Sequence, residues 1–425
     1  MSIQSLKIDS NVKRAFLVAA AVVFCVGSVL AAKWGFGYTA ARNADIPEAA
    51  ELAISLGPDD PQTHYSAAVL FERTFVPEDQ KRSLAEYEAA VALSPNNYLL
   101  WLEFGKARER SGDQIGAEAA LRKALELAPN YSRVQWALGN AVLRNGKTEE
   151  AFTEIRKAVA GDATYTNSAA GIAWQLLGGD MAAVRKAIGD STRLNAAIAT
   201  LLAGQKRFDE SFEIWNSLPS GEKNTTLKEL GDALIKQMIE AKKFRYAQAI
   251  AWQTGNLETM ENAIANGGFE KDIKPQSSGI FEWQIADGTN PRIGPNRDQK
   301  HSGEYSLLVS FGKGGKEFRT VSQTVAVEPG KSYEIELFYR ADLKTSAAVK
   351  WEVANAADGK AIAAIAPIPN TAEWAKTAVK FTVPAGSDGV IVRLVRENCE
   401  TPGCSVAGNL WFDDFKLTFL SIPAE

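Results

Sequence analysis

YLLWLEFGKARERSGDQIGAEAALRKALELAP, residues 98–129, is the stretch on which the rest of the chain is patterned. Its marks return at a spacing of 34 residues: Gly105 falls on Gly139, Gly112 on Gly146, Ala117 on Ala151 and Ala124 on Ala158. Moved back by the same spacing, Pro129 falls on Pro95, Ala124 on Ala90 and Pro95 on Pro61. Two antiparallel helices approach closely only where one presents a small residue, so Gly105 and Ala117 are the predicted contact points within one unit. Large groups such as Trp101 and Leu121 then fill the flanking holes. Pro129, just past the last apolar residue Leu127, ends the second helix and forces a turn. One such hairpin cannot bury its apolar face alone, whereas a stack of them can.

This period, with Trp101, Gly105, Ala117, Ala124 and Pro129 in place, resembles the tetratricopeptide repeat, although Phe104, Arg108 and Leu121 stand where that family usually has Leu, Tyr and Phe. The resemblance implies a solenoid scaffold with protein partners on its surface. Repeats are expected at about 64–97, 98–131 and 132–165. Residues 45–60 read as half a repeat, because Ala49, Ala53 and Leu56 sit one period before Ser83, Tyr87 and Ala90. The pattern then weakens, with further helices predicted around Lys206-Arg207-Phe208 and Lys242-Lys243-Phe244, to give five to six helical pairs over 45–255. Trp101, Trp136, Trp174, Trp215 and Trp252 recur at roughly repeat spacing and read as packing between helices.

Ahead of the repeats, residues 1–14 carry Lys7, Lys13 and Arg14 against Asp9, and residues 15–32 are uncharged. Eighteen residues at about 1.5 Å each reach roughly 27 Å, enough to cross a bilayer. Positive charge before the run predicts a cytoplasmic N-terminus and an exported remainder, with Trp34, Phe36 and Tyr38 at the far interface. Small residues Ser28, Ala31 and Ala32 leave a cleaved signal peptide as the other reading. Cys25, inside the run, reads as a small buried hydrophobe. A net charge of −4 in 425 residues argues against a nucleic-acid surface.

Near residue 256 helical spacing gives way to alternation, at 305–311, 321–327, 333–339, 349–353, 390–395 and 410–419. Short strands split by Gly, Pro and Asn turns predict an antiparallel sandwich over 256–425. Its edges carry Asn266-Gly267-Gly268-Phe269-Glu270, Ser302-Gly303 before Tyr305-Ser306-Leu307, Pro329-Gly330, Trp374 before Phe381-Thr382-Val383-Pro384, and Trp411-Phe412-Asp413-Asp414-Phe415. In that order they resemble the jelly-roll carbohydrate-binding modules. The expected fold is therefore multidomain: a transmembrane helix, an all-α solenoid and an all-β jelly-roll sandwich. The resemblance implies a polysaccharide ligand and a structural calcium ion.

Glu270 opens this domain and Asp413 and Asp414 close it, so pairing of its ends would bring together the hard oxygen ligands that calcium needs. Successive strand residues point to opposite faces, so at most one of the two aspartates is expected to join such a site through its side chain. The rival reading makes these structural, hydrogen-bonded carboxylates. A sugar site needs exposed aromatics. Trp351 shares a strand face with Val349 and Val353 and is expected in the core, and the resemblance places Trp374 where the family commonly buries a tryptophan. Trp283, with Asp287 and Asn290 nearby, and Tyr339 are the expected carbohydrate-binding residues.

Cys399 and Cys404 bracket a short loop, and in an exported domain they are expected to form a disulfide. No catalytic constellation is legible. His64 and His301, the two histidines present, lie in different domains, and adjacent strand carboxylates cannot flank one glycosidic bond. Gly312-Lys313-Gly314-Gly315-Lys316 reads as a hairpin turn, because no helix follows it to complete a phosphate loop. The sequence thus describes a bacterial inner-membrane, single-pass, non-enzymatic scaffold, its C-terminal domains in the periplasm or outside, that handles cell-surface polysaccharide. The alternative is an assembly scaffold of the cell envelope with no sugar affinity.

Overall fold

A computed structural model of the chain describes residues 10–43, 45–74, 76–259, 261–273, 279–312, 318–344, 348–397 and 406–420. The predicted disulfide and the turn at 313–317 lie outside them. The chain divides into two compact units, residues 1–190 and 191–425.

The first unit opens with α1 (Asn11–Asn43), whose apolar side chains, including Phe16, Val23 and Phe24, are exposed to their surroundings. It is the one helix among the described residues long and apolar enough to cross a membrane. Its last turns are different: Ala41 is buried, and Gly37 approaches the next helix, α2 (Pro47–Leu56), so closely that a Cβ there would come within 3.2 Å of Leu56.

Three helical pairs follow: α3 (Pro61–Arg73) with α4 (Pro77–Leu93), α5 (Tyr98–Arg110) with α6 (Gln114–Leu127), and α7 (Ser132–Arg144) with α8 (Thr148–Gly161). A 3-10 turn at Ala163–Tyr165 leads to α9 (Thr166–Leu176) and α10 (Met181–Ile188). Pro47, Pro61 and Pro77 start their helices, where a missing N–H costs nothing. Asp60, Asn97, Asp113 and Asp180 cap others by accepting from free backbone amides. The small-residue contacts form as the period demands. A Cβ on Gly105 would lie 2.6 Å from Leu121 Cγ, and one on Gly139 would lie 2.8 Å from Ile155 Cγ1. Leu121 and Ile155 are fully buried in these contacts, each contributing on the order of 1.5–3 kcal/mol.

The second unit begins with α11 (Thr192–Gly204) and α12 (Phe208–Ser217), the short α13 (Ser220–Lys223), and the pair α14 (Lys228–Glu240) and α15 (Phe244–Gln253). Among the described residues ten strands follow: β1 (Gln284–Ile285), β2 (Arg292–Asn296), β3 (Ser306–Phe311), β4 (Val321–Ala326), β5 (Ser332–Leu343), β6 (Val349–Asn355), β7 (Ala361–Ala364), β8 (Thr371–Thr382), β9 (Gly389–Arg396) and β10 (Gly408–Leu420). They form two antiparallel sheets, ordered β1-β4-β9-β6-β7 and β2-β3-β10-β5-β8. Inward residues such as Leu307, Val309, Leu337, Trp351, Val392 and Phe412 form one core between the sheets.

Within this unit the helices and the sandwich are joined. Asp388 accepts from the Phe244 and Arg245 amides at the start of α15, at 3.0 and 3.3 Å. The Phe244 ring packs so closely on Gly389 that a Cβ there would be 2.6 Å away. Gln248 accepts from the Ala326 amide, and Phe244, Phe281 and Ala326 share one apolar cluster with Trp215 and Leu234.

Candidate functional site

The aromatics singled out for sugar binding lie in the core, which corrects the expectation for both. Trp283 is 2% exposed, packed against Phe269, Trp351 and Phe415, with Nε1 donating to the Asn266 carbonyl. Tyr339 is 7% exposed because odd-numbered residues of β5 face inward. Neither can stack on a ligand. Trp351 is buried as the alternation required, whereas Trp374 is half-exposed.

The three carboxylates do converge, and both aspartates take part, contrary to the expectation of one. Asp414 has φ +50, and the β10 register shifts between Asp413 and Lys416. This bulge interrupts the alternation that would otherwise send the two side chains to opposite faces. Asp413 accepts from the His301 and Ser302 amides at 2.9 and 3.2 Å. Asp414 meets His301 Nδ1 at 2.6 Å and accepts from Ser302 Oγ at 2.7 Å. Glu270 accepts from the Glu304 and Tyr305 amides. Burial pushes the Asp413 carboxyl above its usual range, while the amides of His301 and Ser302 oppose that shift.

Carboxylate oxygens suit calcium, but here N–H and O–H donors already engage them, and no group of three metal-ligating side chains is placed to hold an ion among the described residues. The carboxylates clamp the loop 301–305.

That clamp sets one end of an open face. On the outer side of the second sheet, register places Trp411 between Leu308 and Arg340, and Asn409 between Ser310 and Asp342. Phe338 lies opposite Lys376, and Trp374 shares that face two residues along β8. Trp411, Phe338, Trp374 and Arg340 are all half-buried. The His301 ring stacks on Phe338 with centroids 3.7 Å apart and meets Trp374 edge-on at 5.8 Å. Arg340 reaches over Trp411, 6.0 Å from the ring centroid, and donates to the Gln299 side chain. At the β2 edge, Arg292, Gly294, Leu308 and Ser310 help to line a cavity of about 330 Å³.

A face with aromatic rings bordered by amide, hydroxyl and guanidinium donors can bind a polar ring that has apolar CH faces. The signal for it was present in the alternation. If Leu410 and Phe412 point inward, Trp411 points outward, and the same count puts Phe338 and Arg340 out and Tyr339 in.

In the first unit, Lys106, Glu109, Arg133, Trp136, Asn140, Arg144 and Tyr165 line a cavity of about 390 Å³. Trp136 and Tyr165 stack there at 4.8 Å. It mixes charge and aromatic surface, a combination suited to an extended peptide.

Comparison with known proteins agrees with both halves. A family profile described as "Carbohydrate binding domain" matches residues 261–400. The peroxisomal targeting signal receptor of Saccharomyces cerevisiae is 25% identical over 127 residues, which are 30% of this chain. The chain spans 20% of the length of that relative. Among solved structures, one titled "CBM4 structure and function" is 18% identical, covers 37% of this chain and 99% of its own, and has a TM-score of 0.29. The CBM22-1 xylan-binding domain from Paenibacillus barcinonensis Xyn10C is 15% identical, covers 37% and 93%, and has a TM-score of 0.27. The MamA RS-1 ArsTM double mutant is 16% identical, covers 40% and 96%, and has a TM-score of 0.34. The protein is of the class that joins a helical-repeat array to a β-sandwich module. In particular, its helical pairs are like tetratricopeptide repeats in their 34-residue pattern, and its C-terminal domain is like the carbohydrate-binding modules.

Proposed function

We propose that the protein is a membrane-anchored, non-catalytic scaffold of the bacterial envelope that holds polysaccharide on the outer face of its second sheet while the helical repeats recruit proteins. In this reading α1 spans the inner membrane once, as its bilayer-length apolar run and the lysine and arginine ahead of it favour, and the chain after α1 is exported. The observation that carries the glycan role is the half-buried trio Trp411, Phe338 and Trp374, arrayed across β10, β5 and β8 with Arg340, Asn409 and Gln299 beside them. The proposal includes no calcium, because the carboxylates that would bind it hold the loop 301–305 directly.

The test is binding of the detergent-solubilised full chain to a broad glycan panel. At least one polysaccharide is expected to bind, and Trp374→Ala is expected to weaken it about tenfold or more, since stacking on a sugar ring is lost. Trp283→Ala would damage the core and is no control; the exposed Glu373→Gln, beside Trp374, is. If no glycan binds, or Trp374→Ala binds unchanged, the face is not a glycan site and the protein is an envelope scaffold without sugar affinity.

A further inference from the structure

We propose that the ligand of this face is an acidic polysaccharide, one whose sugars carry carboxylates. This rests on the glycan reading above. The outer face holds Lys376, Lys380, Lys416, Arg340 and Arg292, with the His301 ring stacked on Phe338. Lys376 is paired with Glu336 at 2.8 Å, and His301 Nδ1 meets Asp414 at 2.6 Å. Arg340 and Arg292 have no carboxylate partner among the described residues; of the other acids on this face, Glu334 lies opposite Lys380 on β8 and Asp342 lies at the exposed rim in the row of Asn409. After pairing, the centre of the face is cationic.

Arg340 is also pre-ordered. Its guanidinium is fixed between the Trp411 ring and the amide oxygen of Gln299, a neutral acceptor, which leaves other N–H donors for a ligand. A planar guanidinium so held matches a carboxylate through two parallel hydrogen bonds, and a sugar stacked on Trp411 would bring a ring carboxylate within its reach. Arg292 lies three strands away, roughly 14 Å at ordinary strand spacing, so it would meet a different sugar of the same chain. The whole molecule is negative, at −4, so a polyanion is drawn by this local field and not by net charge.

The experiment titrates the full chain with polygalacturonate, alginate and hyaluronan and with carboxyl-reduced, neutral forms of each at equal chain length. At least one acidic polymer is expected to bind about tenfold or more tightly than its reduced form, with affinity falling as salt rises. Arg340→Gln is expected to remove that preference by weakening the acidic form about tenfold more than the neutral one, and Lys331→Gln, off this face, to change nothing. Equal binding of acidic and reduced polymers that Trp374→Ala abolishes would overturn the acidic specificity and leave the glycan reading standing. Binding of neither form would overturn both.

Discussion

Glu118 shows how single residues tie the repeats together. It lies buried on α6 and accepts from Lys147 at 2.7 Å, Asn145 at 2.6 Å and Arg122 at 2.6 Å, the first two belonging to the turn of the next repeat. The Lys147 ammonium first, then Asn145 and Arg122, hold its carboxyl down at about 2 against the opposing effect of burial. In the unfolded chain the same group titrates near 4.3, so the folded state favours the anion. Its contribution to stability is therefore complete above about pH 5 and is lost as pH falls toward 2. Glu118→Gln is expected to lower the melting temperature of the repeats at pH 7, and the gap to the native chain is expected to narrow steadily between pH 5 and pH 3. A gap of the same size at pH 7 and pH 3 would mean that the charge of Glu118 plays no part.

At the scale of elements, the turns between paired helices explain where the sequence was legible. Gly112 and Gly146 take φ +87 and +78, conformations that glycine adopts freely, and they made the 34-residue period visible. The later pairs keep the same turn with Lys206 at φ +64 and Lys242 at φ +60. The geometry persists while the marker residue is gone, so the repeat faded in the sequence without fading in the fold. Replacing Lys206 by glycine is thus expected to stabilise the second unit by about 0.5–1 kcal/mol, seen as a higher denaturant midpoint at unchanged slope. A lowered midpoint would show that Lys206 is held there by contacts worth more than the backbone strain. Strand β8 was missed for a related reason. It is an edge strand whose outer positions hold Lys376 and Lys380 and whose inner ones hold Ala375 and Val379, so its alternation is shallow. The outward face of the second sheet was hidden with it. The bulge at Asp414 could not be read either, because a φ of +50 at a non-glycine residue leaves no mark in the sequence.

For the molecule as a whole, what matters is that the sandwich is not built on its own residues alone. Asp388 at the start of the β8–β9 exit caps α15, Gly389 leaves room for the Phe244 ring, and Ala326 closes the apolar cluster shared with Trp215 and Leu234. All three contacts lie at the first sheet, so the helices of this unit brace one side of the sandwich while the aromatic face occupies the outer side of the other sheet. A fragment of residues 256–425 would uncover that cluster and leave Asp388 without its two amides. Losing burial of Phe244 alone removes roughly 1.5–3 kcal/mol. A fragment of residues 191–425 is expected to unfold in one transition, and the shorter one to melt about 5–10 °C lower or to aggregate. Differential scanning calorimetry of the two decides it. Equal melting temperatures would make the helices a passive neighbour, whereas a lower one would make the last two helical pairs part of the module that presents the glycan face.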